Sequence, residues 1–400
     1  MYLCRSKNWN QPLQALNLLV LVSRVPYPLE KGDKLRVFHQ LRCLAAQHSI
    51  TLIALTHEPV HPKAIEVLQQ YCKSISIIHI SRWQLYYNLC KAVFTGMPAQ
   101  VAYFYSAKAQ KKIDQQIKEI NPDHIYCQLI RTAPFVKHSA IPMTLDYMDV
   151  FSAGMLRRKE KAHWLLKPFF LVEYKRLLRY EQQVFDKFKS KCIISEPDRA
   201  LIPHHQRHRI QIVENGVDME YFAPQPATKK YDVLFTGNMG YPPNINAAEL
   251  LANHIMPLVR QQLPNVTLVL AGANPHARVK ALASELNIVT GWVDDMRPWY
   301  AASKVFIAPM QIGTGLQNKL LEAMSMQLPA ITSPLANSAL GASADVQVLL
   351  GDTPEAYASH LVELLTNGSK AHQLALAGYT FVKDTYSWER ATQKLAGLFA

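Results

Sequence analysis

Short apolar runs rich in Val, Ile and Leu alternate with longer amphipathic segments along the whole chain. The runs have the length of strands, and the segments between them repeat apolar residues at helical spacing. Strands separated by helices form parallel sheets that are covered on both faces. The pattern predicts an α/β protein of doubly wound sheets, with strands at 17–22, 49–55, 76–80, 124–128, 143–146, 192–195, 210–213, 232–236, 266–271, 288–290, 305–308, 330–332 and 346–350.

The length of 400 residues suits two domains of about 100–200 residues each. The sequence Phe-Ala-Pro-Gln-Pro at 222–226 interrupts the alternating pattern. Ligands of such sheets bind at the carboxyl ends of strands, so a cleft between two sheets is the expected site. We predict an N-terminal tail at 1–12, a first Rossmann-like domain at 13–222, a linker at 223–230, a second Rossmann-like domain at 231–384, and a C-terminal helix at 385–400 that packs back on the first domain.

The strongest local motif follows the strand at 305–308. Gly313 and Gly315 keep this turn free of side chains, and Thr314 with Gln317 has the spacing of a capping box. Backbone N–H groups of Gly315 and Leu316 would then face an anion at the positive end of a helix dipole. The motif predicts a diphosphate site.

Two ionisable residues continue the same helix. Lys319 and Glu322 are three residues apart and share a helix face. Lys319 would add positive charge for a phosphate, and Glu322 would accept hydrogen bonds from ribose hydroxyls. An ordinary capped helix with an exposed ion pair is the alternative interpretation, because short glycine motifs also occur without a ligand.

Two further loops of the second domain are candidates for the same ligand. Gly237, Asn238 and Gly240 follow the strand at 232–236, where glycines let a backbone approach a diphosphate. Val293 follows the strand at 288–290 and would contact a nucleobase through its backbone. Each loop also fits a plain strand-to-helix turn.

In the first domain, several residues follow strands at the edge that would overhang the cleft. They are Gly32, Asp33, Lys34, Gln128, Arg131, Asp146 and Asp149. The two later acids suit general-base or acceptor-orienting work. The alternatives are an N-cap for Asp33 and solvated loop acids for the other two.

The positive charge of the chain is confined to its first half. Residues 1–200 contain 29 Lys and Arg against 15 Asp and Glu, a net +14, whereas residues 201–400 have a net −1. Residues 154–191 contribute a net +7, with Trp, Phe and Leu interleaved. A helix of this composition suits an anionic membrane surface. A core-packing helix with a solvated basic face has nearly equal support, and no zinc-finger, RNA-binding or basic-zipper signature favours nucleic acid.

The six cysteines all lie in the first half, without metal-binding spacing, which indicates reduced and mostly buried thiols in a cytosolic protein. The apolar run at 16–22 is shorter than the roughly 20 residues that span a bilayer. It also lacks a small-residue cleavage site, so we interpret it as a buried strand.

Several motifs together resemble a known family. Val-Glu-Asn-Gly-Val-Asp at 213–218, Phe-Thr-Gly-Asn-Met-Gly at 235–240, Val-Thr-Gly-Trp-Val-Asp at 289–294 and the 313–324 motif are similar in order and spacing to retaining glycosyltransferases of family 4. With Arg-Val-Pro-Tyr-Pro at 24–28, the chain looks most like sugar transferases of bacterial exopolysaccharide clusters associated with the exosortase system.

The resemblance implies a GT-B fold, in which two Rossmann-like domains face each other across a cleft. It implies a UDP- or GDP-linked sugar donor in the second domain and an acceptor on the first, transfer with retention, and no essential metal or other cofactor. Glu322 matches the second Glu of the family's paired-Glu motif. Thr314 stands where the first Glu belongs, Asn238 and Met239 stand where an Arg/Lys pair is common, and Gln128 stands where many relatives have a cleft His.

On this basis we expect front-face transfer of a sugar to a lipid-linked or polysaccharide acceptor, by an enzyme at the inner face of the cytoplasmic membrane. Lys319 and Glu322 act on the donor, and Asp33 and Gln128 hold the acceptor hydroxyl. Gly32, Lys34, Arg131, Asp146 and Asp149 complete the acceptor side. The alternatives are a nucleotide-sugar epimerase with the same fold and a binding module without catalytic activity.

Overall fold

The structure, a computed structural model, describes residues 15–312 and 316–399, apart from the side chain of Lys161. The chain divides into two compact units. The first unit runs to Glu214 and includes the chain from Ala391 onward, and the second unit is Asn215–Arg390.

The first unit contains a parallel sheet of seven strands in the order β3-β2-β1-β4-β5-β6-β7. Most of its strand residues are fully buried, because helices cover both faces. The strands are β1 Asn17–Val22, β2 Ser49–Thr56, β3 Ser74–His79, β4 His124–Gln128, β5 Met143–Asp146, β6 Ser190–Ile193 and β7 Gln211–Ile212.

Helices connect these strands. They are α1 Gly32–Leu44, α2 Ala64–Leu68, α3 Arg82–Thr95, α4 Ala99–Ala102, α5 Ala107–Ile120, α6 Phe151–Lys161, α7 Lys167–Phe185 and α8 Glu196–Leu201, with 3₁₀ turns at Ala133–Phe135, Trp164–Leu166 and Arg207–Arg209.

The second unit repeats the architecture with six parallel strands in the order β10-β9-β8-β11-β12-β13. These strands are β8 Tyr231–Thr236, β9 Leu268–Ala271, β10 Asn287–Gly291, β11 Ser303–Ala308, β12 Ala330–Thr332 and β13 Leu349–Leu350. Its helices are α9 Pro242–Leu250, α10 Met256–Gln262, α11 Ala277–Lys280, α12 Arg297–Ala302, α13 Asn318–Ser325, α14 Pro334–Leu340, α15 Pro354–Thr366, α16 Gly368–Thr385 and α17 Trp388–Ala396, with a π-helical turn at Leu251–Ile255.

Every predicted strand has its counterpart in the structure. The bounds agree at β1, β4, β5 and β12 and shift by up to three residues elsewhere. The apolar runs predict these strands well because strands buried on both faces carry continuous hydrophobic sequence.

The unit boundary lies earlier than the proline-rich segment suggested. The predicted linker at 223–230 lies within the second unit, which begins at Asn215. Val217 explains the difference, because its N–H donates to Tyr386 O at 2.8 Å and its side chain is buried in the core of this unit. The segment after Glu214 is therefore already part of the second unit.

The C-terminal helix α17 ends in the first unit. Leu395 and Phe399 are buried in one core cluster with Leu18 and Val20 of β1, and Lys394 pairs with Glu214 at 2.7 Å. The structure thus places residues 391–399 with the first unit, to which the predicted C-terminal helix was to return.

Strand order locates one crevice in each unit. The order reverses between β1 and β4 in the first sheet and between β8 and β11 in the second. Loops that follow neighbouring strands at such a reversal point diverge to opposite faces of the sheet, so they leave a crevice at its carboxyl edge.

Candidate functional site

Lys319 lies at the reversal point of the second sheet. It is the second residue of α13, which follows β11, and its Nζ donates to Asn244 Oδ1 at 2.6 Å. The ammonium lies 4.5 Å from the ring centroid of Phe235, a residue of β8. Lys319 remains partly exposed, so its charge can reach a ligand in the crevice.

The loop after β8 packs directly on this lysine. A Cβ at Gly237 would lie 2.7 Å from Asn244 Nδ2 and 3.0 Å from Lys319 Nζ, so only glycine fits there without displacement. Asn244 Nδ2 also donates to Asn238 O at 2.9 Å, and Gly240 N donates to Asn238 Oδ1 at 3.0 Å. The glycine loop after β8 and the start of α13 therefore meet around one ammonium group.

Glu322 lies one helical turn beyond Lys319 and has a different partner. Tyr300 O–H donates to Glu322 Oε2 at 2.8 Å, and the same hydroxyl lies 2.9 Å from Thr236 Oγ1. The other oxygen, Oε1, accepts no hydrogen bond within the described residues, and the side chain is partly exposed. One carboxylate oxygen is thus fixed and the other is available to a ligand hydroxyl.

Burial shifts the ionisation of both groups toward the neutral form. It lowers the pKa of Lys319 to about 7, against a smaller opposing effect of the Glu322 charge. It raises the pKa of Glu322, while the Tyr300 hydrogen bond and Lys319 act in the opposite direction. An anion bound beside Lys319 would restore the full positive charge.

The predicted capping box is wrong. Helix α13 begins at Asn318 and its N-cap is Gln317, so Thr314 is not its cap. Leu316 lies before the helix, and its N–H is not a helix-terminal donor. The predicted ligands Gly313, Thr314 and Gly315 lie outside the described residues, and their anion contacts stay a prediction.

Val293 lies in the loop after β10, an edge strand of the second sheet. The reversal point is two strands away, between β8 and β11. Its contact with a nucleobase stays a prediction.

Asp146 is not an acceptor residue. It is fully buried at the end of β5, where its Oδ2 pairs with Arg36 Nε at 2.6 Å and accepts from Tyr126 O–H at 2.9 Å. Its Oδ1 accepts from Met148 N at 3.0 Å. Arg36 also donates to the carbonyl of Val213, so the pair joins α1 and β5 to the segment after β7. Its role is structural.

Gln128 and Asp33 also differ from their predicted roles. Gln128 is buried, and its Nε2 donates to the backbone carbonyl of Asp33 at 2.8 Å. The Asp33 carboxylate pairs with Arg24 at 2.6 Å, and Lys31, not Asp33, is the N-cap of α1. Gln128 therefore positions the start of α1, and its contact with an acceptor hydroxyl stays a prediction.

The remaining predicted acceptor residues have diverse environments. Lys34 is buried and its Nζ pairs with Glu30 at 2.8 Å, so its charge is already compensated. Gly32 is the first residue of α1. Asp149 is exposed and accepts from the N–H of Val150 at 2.7 Å. Arg131 follows β4 and packs between aromatic rings, as described below.

Sequence reasoning missed the buried partners of the site. Asn244, Tyr300 and Phe235 orient Lys319 and Glu322, yet each looks like an ordinary core or turn residue in the sequence. The one usable signal was the position of Asn244 at the start of the helix after the Gly237 loop. A tyrosine 22 residues from Glu322 gives no such signal.

The basic segment at 154–191 is not one helix. It comprises most of α6, the turn at Trp164–Leu166, α7 and the start of β6. Bulky apolar side chains are exposed between residues 164 and 172, Trp164 to 69%, whereas Met155, Leu177 and Phe185 are buried. Among the described residues, no helix has the length and apolarity that crossing a bilayer requires, and no cluster of three metal-ligating side chains occurs. Cys72, Cys90, Cys127 and Cys192 are free thiols, and Cys72, Cys127 and Cys192 are buried.

Comparisons with known proteins find sequences and structures that are similar to this chain. Residues 230–367 match the model for Glycosyl transferases group 1. The chain is 21% identical over 390 residues to a 44.6 kDa protein in the cps region of Klebsiella pneumoniae, covering 92% of this chain and 96% of that protein. It is 24% identical over 211 residues to the GDP-mannose-dependent alpha-(1-6)-phosphatidylinositol monomannoside mannosyltransferase of Mycobacterium tuberculosis, covering 47% and 54%.

The fold is similar to that of a solved structure, Anabaena HepE in complex with UDP-glucose. The TM-score is 0.66 at 12% identity, over 95% of this chain and 98% of HepE. Two parallel-sheet α/β units with this likeness have the GT-B fold.

Proposed function

We propose that this chain, a glycosyltransferase of group 1 by its family match and its GT-B fold, transfers a sugar from a nucleotide-sugar donor to an acceptor hydroxyl. The observation that carries the proposal is the position of Lys319, a partly exposed residue at the reversal point of the second sheet, where the loop after β8 meets the start of α13. Such a crevice is the ordinary nucleotide position in doubly wound sheets.

The donor's diphosphate would lie against Lys319 and the Gly237 loop. Neutralising charge that grows on the leaving diphosphate is the principal catalytic task, and a preorganised cation in a partly buried site does this well. The ribose hydroxyls would then donate to Glu322 Oε1. The mannosyltransferase relative is GDP-mannose-dependent and HepE was solved with UDP-glucose, so both nucleotides are candidates.

We expect Glu322→Gln to weaken donor binding about tenfold, because a hydrogen bond to a charged group contributes about 1.5–3 kcal/mol. The glutamine Oε1 can still accept from Tyr300, so the fold should persist. Calorimetric titration with UDP- and GDP-sugars measures the affinity. Glu285→Gln, at an exposed position of the same unit, is the matched control. Equal donor affinity in the wild type and Glu322→Gln would remove Glu322 from the donor site.

The proposal includes front-face transfer with retention, as in the family that the motifs resemble. Lys319 supplies positive charge at the leaving group without a metal ion. The acceptor is lipid-linked or a polysaccharide, in keeping with the relative from a cps region. The link to the exosortase system stays a prediction.

Incubation with sugar nucleotides, with and without lipid-linked acceptors, tests the reaction. Mass spectrometry should show a sugar added only when acceptor is present, and NMR of the product should show the donor's anomeric configuration. A new sugar nucleotide formed without acceptor would mean an epimerase. Absence of both nucleotide binding and turnover would mean a binding module.

We also propose that the first unit docks on an anionic membrane. Two helical segments expose bulky apolar side chains, which soluble surfaces seldom group. These residues, hereafter the apolar surface, are Trp83, Tyr86, Tyr87, Val93 and Phe94 of α3, and Trp164, Leu165, Leu166, Phe169 and Val172 at the start of α7 and the turn before it.

The two parts of the apolar surface are connected through Arg176. Phe169, Val172 and Arg176 follow one face of α7 at helical spacing. The Arg176 guanidinium donates to the carbonyls of Ala92 and Val93 at 3.0 and 2.9 Å, at the end of α3. The apolar residues of α7 therefore continue into those of α3.

Exposed charges on these two helices are basic. Arg82, Lys91, Lys167, Lys175 and Arg179 are exposed, and α3 contains no acid. The acids of α7 are buried, since Glu173 accepts from the N–H groups of Ala99 and Gln100, and Glu181 accepts from Ser152. Apolar side chains flanked by bases fit the interface of an anionic bilayer.

Replacing Phe94 and Phe169 together with Asp should abolish most binding to vesicles of anionic phospholipid, because each substitution removes apolar contact and adds a repelled charge. Flotation should show at least about a tenfold fall in the bound fraction, and high salt should weaken wild-type binding. Leu376→Asp, at an exposed apolar position of the second unit, is the control. Equal flotation of the double variant and the wild type would refute the docking surface.

A further inference from the structure

Arg131 is a partly buried cation that makes no ion pair with a described acid. Its guanidinium carbon lies 5.1 Å from the ring centroid of Phe104 and 4.7 Å from that of Phe151. Nη2 donates to Gln100 Oε1 at 3.3 Å, and the buried Nε has no hydrogen-bond partner. In the part of the chain that the structure describes, Arg131 makes no ion pair.

Such an arrangement costs stability, because a guanidinium removed from water needs a counter-charge. Burial lowers the pKa of Arg131 to about 10, the charge of Arg24 adds to the shift, and the charges of Asp33 and Asp149 oppose it. The rings stabilise the cation by cation–π contact without neutralising it. Unfavourable electrostatics of this kind are typical of sites that wait for a ligand.

A second arginine occupies the same end of the sheet. Arg24 follows β1 and Arg131 follows β4, the two neighbouring strands between which the strand order reverses. Arg24 Nη1 pairs with Asp33, but its Nε is also buried without a partner. Arg24, Arg131 and Asp33 together carry one net positive charge, and Arg158 and Asp149, which also act on Arg131, add one charge of each sign.

There is also room beside Arg24. A cavity of about 300 Å³ lies at the carboxyl ends of β1 and β2 and is lined by Arg24 but not by Arg131. Its lining also includes Lys34 and the two acids Glu30 and Glu58, so a group attached to an anion on Arg24 would find both charged and apolar surroundings there.

We propose that Arg24 and Arg131 bind a phosphate or diphosphate group of the acceptor. This inference rests on the proposed function, since it names the acceptor's charged group. Guanidinium groups suit this ligand because their N–H donors match two oxyanion oxygens at once. The phosphate has two sources, a lipid diphosphate or a phosphorylated soluble sugar, which share the recognition chemistry.

Binding of geranyl diphosphate, geraniol and glucose 1-phosphate to the full chain tests the site. The protein carries Lys319→Ala in these titrations, which weakens anion binding in the second unit. We expect geranyl diphosphate to bind measurably and geraniol not to bind. Tighter binding of geranyl diphosphate than of glucose 1-phosphate indicates the lipid source, and the reverse order indicates the soluble one. Geraniol binding as tightly as its diphosphate would overturn the proposal.

Arg131→Met in the same background should weaken geranyl diphosphate binding at least tenfold. The methionine can fill space between the rings, and removal of a partly buried charge that makes no ion pair should leave the melting temperature unchanged or higher. Arg207→Met, which removes a charge from an exposed position of the same unit, should bind as before. Unchanged affinity in Arg131→Met would overturn the site.

If Arg131→Met does not fold, Arg131→Lys provides the test of the site, because lysine keeps the positive charge and lacks the planar guanidinium group. Weaker diphosphate binding by folded Arg131→Lys supports the site, and wild-type affinity overturns it. Arginine-dependent diphosphate binding without sugar transfer to any acceptor would keep this site and refute the proposed function. Sugar transfer to neutral acceptors only, at a rate that Arg131→Met does not change, would support the proposed function and refute this site.

Discussion

Asp146→Ala is expected to lower the free energy of unfolding by about 3–5 kcal/mol, the cost of leaving a buried charge without its partner. The Arg36–Asp146 pair is completely shielded from solvent, with 2.6 Å between Arg36 Nε and Asp146 Oδ2. The alanine would also remove the acceptor for Met148 N–H and one of two acceptors near Tyr126 O–H, the other being Gln40 Oε1 at 2.8 Å. Urea denaturation followed by circular dichroism measures the change.

Two comparisons make this result specific. Asp114→Ala, on the exposed face of α5, should change the free energy of unfolding by less than about 0.5 kcal/mol. The double variant Arg36→Met with Asp146→Leu should be less destabilised than the two single changes predict, because no buried charge remains. Recovery should be partial, since Arg36 also donates to the carbonyls of Val213 and Glu214. An Asp146→Ala protein as stable as the wild type would show that the pair contributes nothing to the fold.

Asp146 also shows where sequence reasoning stops. The apolar run before it correctly predicted the strand, and its place at the strand end suggested an acid in a ligand crevice. In a doubly wound sheet both faces are covered, so a strand-end acid can point into the protein as readily as out of it. Its partner Arg36 is 110 residues away in the chain. No local pattern encodes that pairing.

The site around Lys319 in the second unit was more predictable, because its parts follow strands that are neighbours in the sheet. The Gly237 loop and Lys319 were each identified from glycine and charge patterns, and the sheet order brings them together. Their detailed partners were not predictable. The sequence suggested an exposed ion pair of Lys319 with Glu322 as the alternative, whereas the two side chains bond to Asn244 and Tyr300. Those partners come from helices α9 and α12, and only tertiary packing sets their approach.

In the first unit, most of the candidate site residues have structural roles. Three candidates were selected because they lie near strand ends: Gln128, Asp33 and Lys34. In the structure, all three make contacts that hold the start of α1 and the loop beside it in place. Arg131 was selected on the same grounds and has no acidic partner among the described residues. A position after a strand therefore identifies candidate site residues. Whether the polar atoms of each residue already have hydrogen-bond partners within the protein then separates structural residues from ligand-binding ones.

Lys319→Ala is expected to lower kcat/KM for sugar transfer by about 10²–10³, the range found when one preorganised donor to a developing anion is removed. The loss should appear mainly in kcat if the ammonium stabilises the departing diphosphate more than the bound donor. Lys304→Ala, whose exposed ammonium pairs with Asp232 elsewhere in the unit, is the control. Retention of full activity by Lys319→Ala would exclude it from catalysis.

The pH dependence of donor binding gives this lysine a signature that a structural role would not produce. Because burial lowers its pKa to about 7, Lys319 is protonated below that pH and loses its proton above it in the free protein. A sugar nucleotide keeps its two diphosphate charges across this range and favours the protonated lysine, so each donor bound above about pH 7 takes up a proton. The dissociation constant should therefore be constant below about pH 6 and rise toward tenfold per pH unit at higher pH.

Lys319→Arg keeps its charge throughout and should flatten the profile, whatever its absolute affinity. Titration calorimetry in buffers of different ionisation enthalpy measures the proton uptake directly, and a wild-type profile as flat as that of Lys319→Arg would mean that Lys319 does not contact the diphosphate.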